Sequence, residues 1–176
     1  MTETSPSPIQ VMVLHYEDEP EVVSWIPAAL YDHYCAEDPS LLDDDDALRE
    51  ADDDLSADLT LERYGQKIRI GYRILEKTEN FTMEVEKLDG APALIILDLF
   101  RQTENGMEPV GINVLQGIKD RPTHQIFFLT AYPQDLPDVV VQEIKSDNIF
   151  HKPVNIVSFV ARIANSIDFI VSCVKI

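Results

Sequence analysis

Ala93-Leu94-Ile95-Ile96-Leu97-Asp98 is the stretch that decides how this chain folds. Its unbroken apolar run is of strand length, and its lack of alternation matches a strand covered on both faces. Such strands belong to parallel sheets with helices on either side. The aspartate ends the run, and three other short apolar runs also end on polar groups. Val11-Met12-Val13-Leu14 leads into Glu17-Asp18-Glu19-Pro20, Ile126-Phe127-Phe128-Leu129 into Thr130-Ala131, and Ile149-Phe150 into Lys152-Pro153. In a parallel α/β sheet the carboxyl ends of the strands share one edge, where ligands bind. Carboxylates, a hydroxyl and an ammonium are therefore expected to meet there.

Outward from that strand, strands and helices alternate. Gln10–His15 reads as the first strand and Pro20–Tyr34 as an amphipathic helix that Pro27 should kink or break. Lys67–Leu75 alternates basic and apolar residues as a strand does. Asn80–Leu88 reads as a helix closed by Asp89-Gly90, and Arg101–Glu108 as a polar loop. Helices follow near Ile112–Lys119 and Leu136–Lys145, and the last strand ends at His151. This order predicts a doubly wound, five-stranded parallel sheet with helices on both faces. The expected organisation is a flexible N-terminus over residues 1–8, then one domain over 9–176.

A long C-terminal helix is expected over about 156–176, capped by Asn155. Its Ile156, Val160, Ile163, Ile167, Ile170 and Val174 recur with heptad spacing. Two explanations stand side by side: the helix packs only on its own sheet, or its distal half pairs with a second copy as a homodimer.

The net charge is −18 at 176 residues, but it is unevenly spread. Between Ala36 and Glu62 lie twelve acids and one base, Arg49, so that segment carries −11 and the rest −7. The acidity reads as one insertion, about 36–66, either a solvated charged loop or a loop with a short helix near Ala47–Leu55. It argues against direct nucleic-acid binding, which needs basic patches. Cys35 and Cys173 form neither a disulfide framework nor a metal spacing. The first ten residues have no apolar signal core, and the stretch Ile167–Val174 is too short to cross a bilayer. A cytoplasmic protein with no membrane association is expected.

At the shared edge Glu17, Asp18 and Asp98 would repel one another and raise each other's pKa. A hard divalent cation relieves that repulsion, and Mg²⁺ prefers oxygen ligands while keeping exchangeable waters. A carboxylate can also be a nucleophile toward phosphorus. Lys152 and the Thr130 hydroxyl could then neutralise the transferred charge.

With these residues the chain resembles the receiver domain of bacterial response regulators, the phosphoacceptor half of two-component signalling. Val13 to Pro20 looks like its first strand and acidic pair, Leu94 to Leu99 like its phosphoacceptor strand, and Leu129-Thr130-Ala131 and Lys152-Pro153 like its switch hydroxyl and lysine. The resemblance implies a flavodoxin-like strand order, 2-1-3-4-5. It implies that Asp98 is the phosphoacceptor and that Asp18, Glu17, Asp98 and the Phe100 carbonyl bind Mg²⁺. Thr130 would report phosphorylation, Lys152 would contact the phosphoryl group, and the Lys152–Pro153 bond would be cis. The partners implied are a sensor histidine kinase or phosphotransfer protein and a downstream protein effector, with no catalysis on an external substrate.

Thr130 follows Asp98 by 32 residues and Lys152 follows Thr130 by 22, as the family's pattern has it. Asp98 follows Asp18 by 80, which is too far, and the acidic insertion accounts for the excess. The loop after Asp98 is lengthened by Thr103–Val110. Phe100, two residues after the acceptor, is bulky and is expected to slow attack of water on a phosphoaspartate. The family's aromatic three positions before the lysine is here Ile149, and period two puts the neighbouring Phe150 on the core side instead. A receiver fold that docks partners without phosphate is therefore the alternative. An aspartyl phosphatase is disfavoured, since such enzymes place a second Asp where Phe100 stands.

Overall fold

The computed structural model describes residues 7–37, 56–63, 65–104, 106–118, 124–132, 136, 138 and 146–174. Strand β1 (Ile9–Tyr16) is followed by a 3-10 turn (Pro20–Val22) and helix α1 (Ile26–Glu37). Then come β2 (Ser56–Arg63), β3 (Gln66–Leu75), α2 (Thr78–Lys87) and β4 (Ala93–Asp98). A hairpin of β5 (Arg101–Thr103) and β6 (Gly106–Glu108) precedes α3 (Val110–Ile118), β7 (His124–Thr130), β8 (Ile149–His151) and α4 (Ile156–Val174).

The fold is α/β, with a mostly parallel sheet of six strands in the order β2-β3-β1-β4-β7-β8. Count and order both differ from the expected five strands in order 2-1-3-4-5. The physical reason lies at the end of the acidic stretch. Ala57, Leu59 and Leu61 alternate with Asp58, Thr60 and Glu62, so one side of that segment is apolar. It turns back through Gly65, whose φ is +70, and pairs antiparallel along β3. The alternate residues Ala57, Leu59 and Leu61 are thereby buried. A stretch read as charged loop thus ends in an edge strand. The possible helix near Ala47–Leu55, most of the helix expected at Leu136–Lys145, and residues 1–6 of the N-terminus lie outside the described residues.

β1 pairs in parallel with β3 on one side and β4 on the other, and β4 pairs with β7. All six residues of β4 are buried, as an unbroken apolar run demands. Helices α1 and α4 cover one face through Ile26, Leu30, Tyr34, Phe159 and Ile163. Helices α2 and α3 cover the other through Phe81, Val85, Ile112 and Leu115. The burial of these side chains is the main force holding the layers together.

Two other expectations are corrected locally. Pro20–Tyr34 is not one helix: Pro20 opens the 3-10 turn, and α1 begins at Ile26 with Pro27 in its first turn, where a missing N–H costs nothing. Arg101–Glu108 is not a plain loop but a short hairpin, closed by a Thr103 hydroxyl that donates to the Gly106 carbonyl at 2.8 Å. Asn155 caps α4 as expected, accepting the Ser158 N–H at 3.0 Å. Of the heptad seam on α4, Val160, Ile163, Ile167 and Ile170 are buried within the chain, while Ile156 and Val174 at its ends are exposed. Within one protomer, then, most of that seam is spent on its own sheet and on α1. By length and composition α4 could span a membrane, yet its Phe159, Val160, Ile163, Ile167, Ile170 and Val171 are buried inside the protein.

Candidate functional site

The carboxyl ends of β1, β4, β7 and β8 bring the sequence-marked polar groups to one edge. Glu17 and Asp18 follow β1, Asp98 ends β4, Thr130 ends β7 and Lys152 follows β8. One carboxylate oxygen from each of Glu17, Asp18 and Asp98 lies within 4.8 Å of the others. Lys152 closes the group: its Nζ donates to Glu17 Oε1 at 2.9 Å and Oε2 at 2.7 Å, and to Asp98 Oδ2 at 2.8 Å. These contacts join residues far apart in sequence, so the tertiary fold alone makes them.

Backbone contacts fix the strands that carry these groups. The Lys152 N–H donates to the Thr130 carbonyl at 2.8 Å, tying β8 to β7. The Lys152–Pro153 bond is cis, as the resemblance implied. The Leu99 N–H donates to the Leu129 carbonyl at 3.2 Å, and the Gly111 N–H to the Leu99 carbonyl at 3.1 Å. Gly111, at the start of α3, is pressed so close to the end of β4 that a Cβ there would sit 2.2 Å from the Asp98 carbonyl oxygen. The helix can approach Asp98 only because that residue is glycine.

The electrostatics follow from three acids facing one ammonium in a largely dry place. Glu17, 1% exposed, is pushed up to about 8 by burial and then by the Asp98 charge, against the pull of Lys152. Asp18 is raised by burial and by Asp98. Burial alone would lower Lys152, but the charges of Glu17 and Asp98 outweigh it and hold the ammonium protonated above its ordinary range. Three carboxyl groups thus share one ammonium, and Glu17 holds its proton near neutral pH for want of a second cation. Hard oxygen donors in excess of their internal cation are the chemistry of a site that could hold a metal ion.

Thr130 is fully buried, and its Oγ1 accepts the Tyr132 N–H at 3.0 Å. Phe100 packs edge-on against Tyr132 with ring centroids 6.3 Å apart, forming part of the rim. Ile149 packs partly buried on the α2–α3 face. Phe150 lies on the opposite face between Phe127 and Phe159, at centroid distances of 5.2 and 4.7 Å. It is a core residue, as its register predicts.

No protein-family model and no curated protein matches the chain. The site therefore rests on its own geometry.

Sequence reasoning missed one buried polar pair beneath the site. His15 Nδ1 lies 3.0 Å from the Tyr72 hydroxyl, and both side chains are fully buried. Burial, then the nearby Lys152 charge, lowers His15 to about 3, so the ring is neutral. Tyr72 is raised, by burial first and then by Glu17. The signal was visible: His15 stands in the period-two positions Val11, Val13 and His15, whose other members face the core. It also missed that Lys152 grips Glu17 as well as Asp98.

Proposed function

We propose that the chain is a phosphorylation-controlled receiver in which Asp98 accepts a phosphoryl group. The observation that carries this reading is the single ammonium of Lys152 shared between the buried Glu17 and Asp98, with Asp18 alongside. A lysine held at the acceptor carboxylate is placed to neutralise charge arriving on it. In the reaction an Asp98 carboxylate oxygen attacks phosphorus. The bond from phosphorus to the donor breaks, and the donor leaves with that bond's electron pair. With acetyl phosphate the leaving group is acetate, and with a histidine kinase or phosphotransfer protein it is the imidazole.

The donor set of three carboxylates fits Mg²⁺, which Asp18, Glu17, Asp98 and the Phe100 carbonyl would hold. When bound, that ion supplies the positive charge that one lysine cannot. Thr130, buried beside Lys152 and joined to it through the backbone, would donate its hydroxyl to the new phosphoryl group and release the Tyr132 N–H. That exchange would alter the surface of the β7–β8 edge, where a downstream protein effector would bind. The chain would work in the cytoplasm without acting on an external substrate, membrane or nucleic acid. Phe100 and Tyr132, packed together at the rim, would hinder water from reaching the phosphoaspartate. Phe100→Asn is expected to shorten the phosphoryl lifetime several-fold, and an unchanged or longer decay would contradict that role.

One observation favours a second reading, in which the fold docks partners without phosphate. Phe150, on the strand that leads into Lys152, is wedged between Phe127 and Phe159 and so is not free to swing. Intact-mass measurement after incubation with acetyl phosphate and Mg²⁺ separates the two. The receiver reading expects one phosphoryl adduct on the native chain and none on Asp98→Asn. Equal masses for both proteins would leave the docking reading in its place.

A further inference from the structure

Helix α4 carries an outward side that is poor in charge. At α-helical spacing its solvent-facing half holds Val157, Ala161, Asn165, Phe169 and Cys173 in one i, i+4 row, flanked by serines. Val157 is 78% exposed and Phe169 55%. The outward half of an ordinary surface helix is charged. Here the only charges are Arg162 and Asp168, which cancel; each already has a partner in its own chain, Arg162 donating to Asn148 Oδ1 at 3.2 Å. In a chain of net charge −18 this is a neutral, partly apolar strip.

We propose that this strip pairs with the same strip of a second copy, in antiparallel sense, about a two-fold axis at Asn165. The argument is complementarity. Antiparallel pairing about Asn165 sets Ala161 against Phe169 and Val157 against Cys173, a small residue against a larger one in each case. It sets Arg162 across from Asp168. Parallel pairing would oppose Phe169 to Phe169, Arg162 to Arg162 and Asp168 to Asp168. Asn165 at the axis can both donate to and accept from its mate, the device by which one buried Asn sets register between helices. The i, i+4 rows of the two helices form ridges suited to the common oblique crossing. Two highly acidic bodies also meet with least repulsion through a face of no net charge.

The helix is about 28 Å long, and one crossing buries less than the roughly 1,200 Å² of a tight interface. The dimer is therefore concentration-dependent. It does not depend on phosphate, so it stands or falls separately from the acceptor role of Asp98.

Mild oxidation of full-length variants tests the register. Val157→Cys should give a dimer through the new thiol and Cys173 of the second copy, and Val157→Cys with Cys173→Ser should not. The native chain should cross-link poorly, because in this arrangement the two Cys173 residues are about 24 Å apart along the axis. Phe169→Glu should abolish the cross-link of Val157→Cys with an unchanged circular dichroism spectrum. A monomer at every concentration in sedimentation would overturn the proposal. So would efficient Cys173–Cys173 cross-linking of the native chain, which marks a parallel pair. Flotation with phosphatidylcholine vesicles would overturn it too, since lipid would then be what covers the strip.

Discussion

Two clusters of opposite charge among the described residues differ in burial and in balance. At the carboxyl edge, Glu17, Asp18 and Asp98 face one lysine among side chains mostly removed from water. On the β2–β3 edge, Asp58 faces two guanidinium groups, Arg69 at 3.3 Å and Arg73 at 3.2 Å, all partly open to solvent. The second cluster has more positive than negative charge and water to screen it. It behaves as a brace between antiparallel strands and needs nothing further. The first has an excess of buried negative charge that the fold itself does not satisfy. Unbalanced burial, not the presence of an ion pair, is what distinguishes a site for chemistry from a structural contact.

Removing one charge from each cluster should widen that contrast. Lys152→Met leaves the buried Asp98 with no counter-charge and Glu17 without its hydrogen-bond donor, and should cost about 3 kcal/mol of stability in urea unfolding near neutral pH. A loss no larger than that of a surface variant would show the buried pair to be unimportant. Gly111→Ala comes next: overlap with the Asp98 carbonyl should cost about 2 kcal/mol or more by forcing α3 off β4. Unchanged stability in the same assay would mean that the helix sits farther from Asp98 than described.

In chelator, the pH dependence of stability separates two buried groups. His15 has a folded pKa of about 3, below its unfolded value near 6.5, so its contribution is present above 6.5 and lost as pH falls toward 3. Glu17 runs the other way: with a folded pKa of about 8, its contribution is present below about 4.5 and lost as pH rises through 8. Between pH 7 and 5 the two oppose each other. His15→Gln should remove a fall of about 2 kcal/mol over that interval and leave stability rising on acidification. The same slope in both proteins would show that folding does not lower the pKa of His15. The smallest effect belongs to the exposed brace. Asp58→Asn should cost about 0.5 kcal/mol, less in high salt. A cost equal to that of Lys152→Met would erase the distinction between the clusters.

Much of the fold was legible because the parallel strands announce themselves. Ala93–Leu97 has no polar position to mark a solvent face, which only a doubly covered strand tolerates, and it fixed the site of Asp98. The neighbouring motifs could be aligned with it because each ends in a group of useful chemistry. The strand Ser56–Arg63 was hidden for a physical reason: its alternation is real, but it sits in a charge run whose acidity speaks of solvent. Only pairing with β3 shows which side is buried. The three-residue strands of the hairpin after Phe100 are too short to carry a period. The bond from Lys152 to Glu17 was beyond the sequence for another reason. Residue types and order indicate that charges converge, but not which carboxylate the lysine grips.

The central claim is that the carboxylates of Glu17, Asp18 and Asp98 outnumber their internal cation and so recruit a divalent one. Calorimetric titration of the phosphate-free protein with Mg²⁺ addresses it directly. One ion bound per chain, with binding lost in both Asp18→Asn and Asp98→Asn and retained in Asp58→Asn, is the predicted result. No heat from the native chain, or the same affinity in all four proteins, would contradict it.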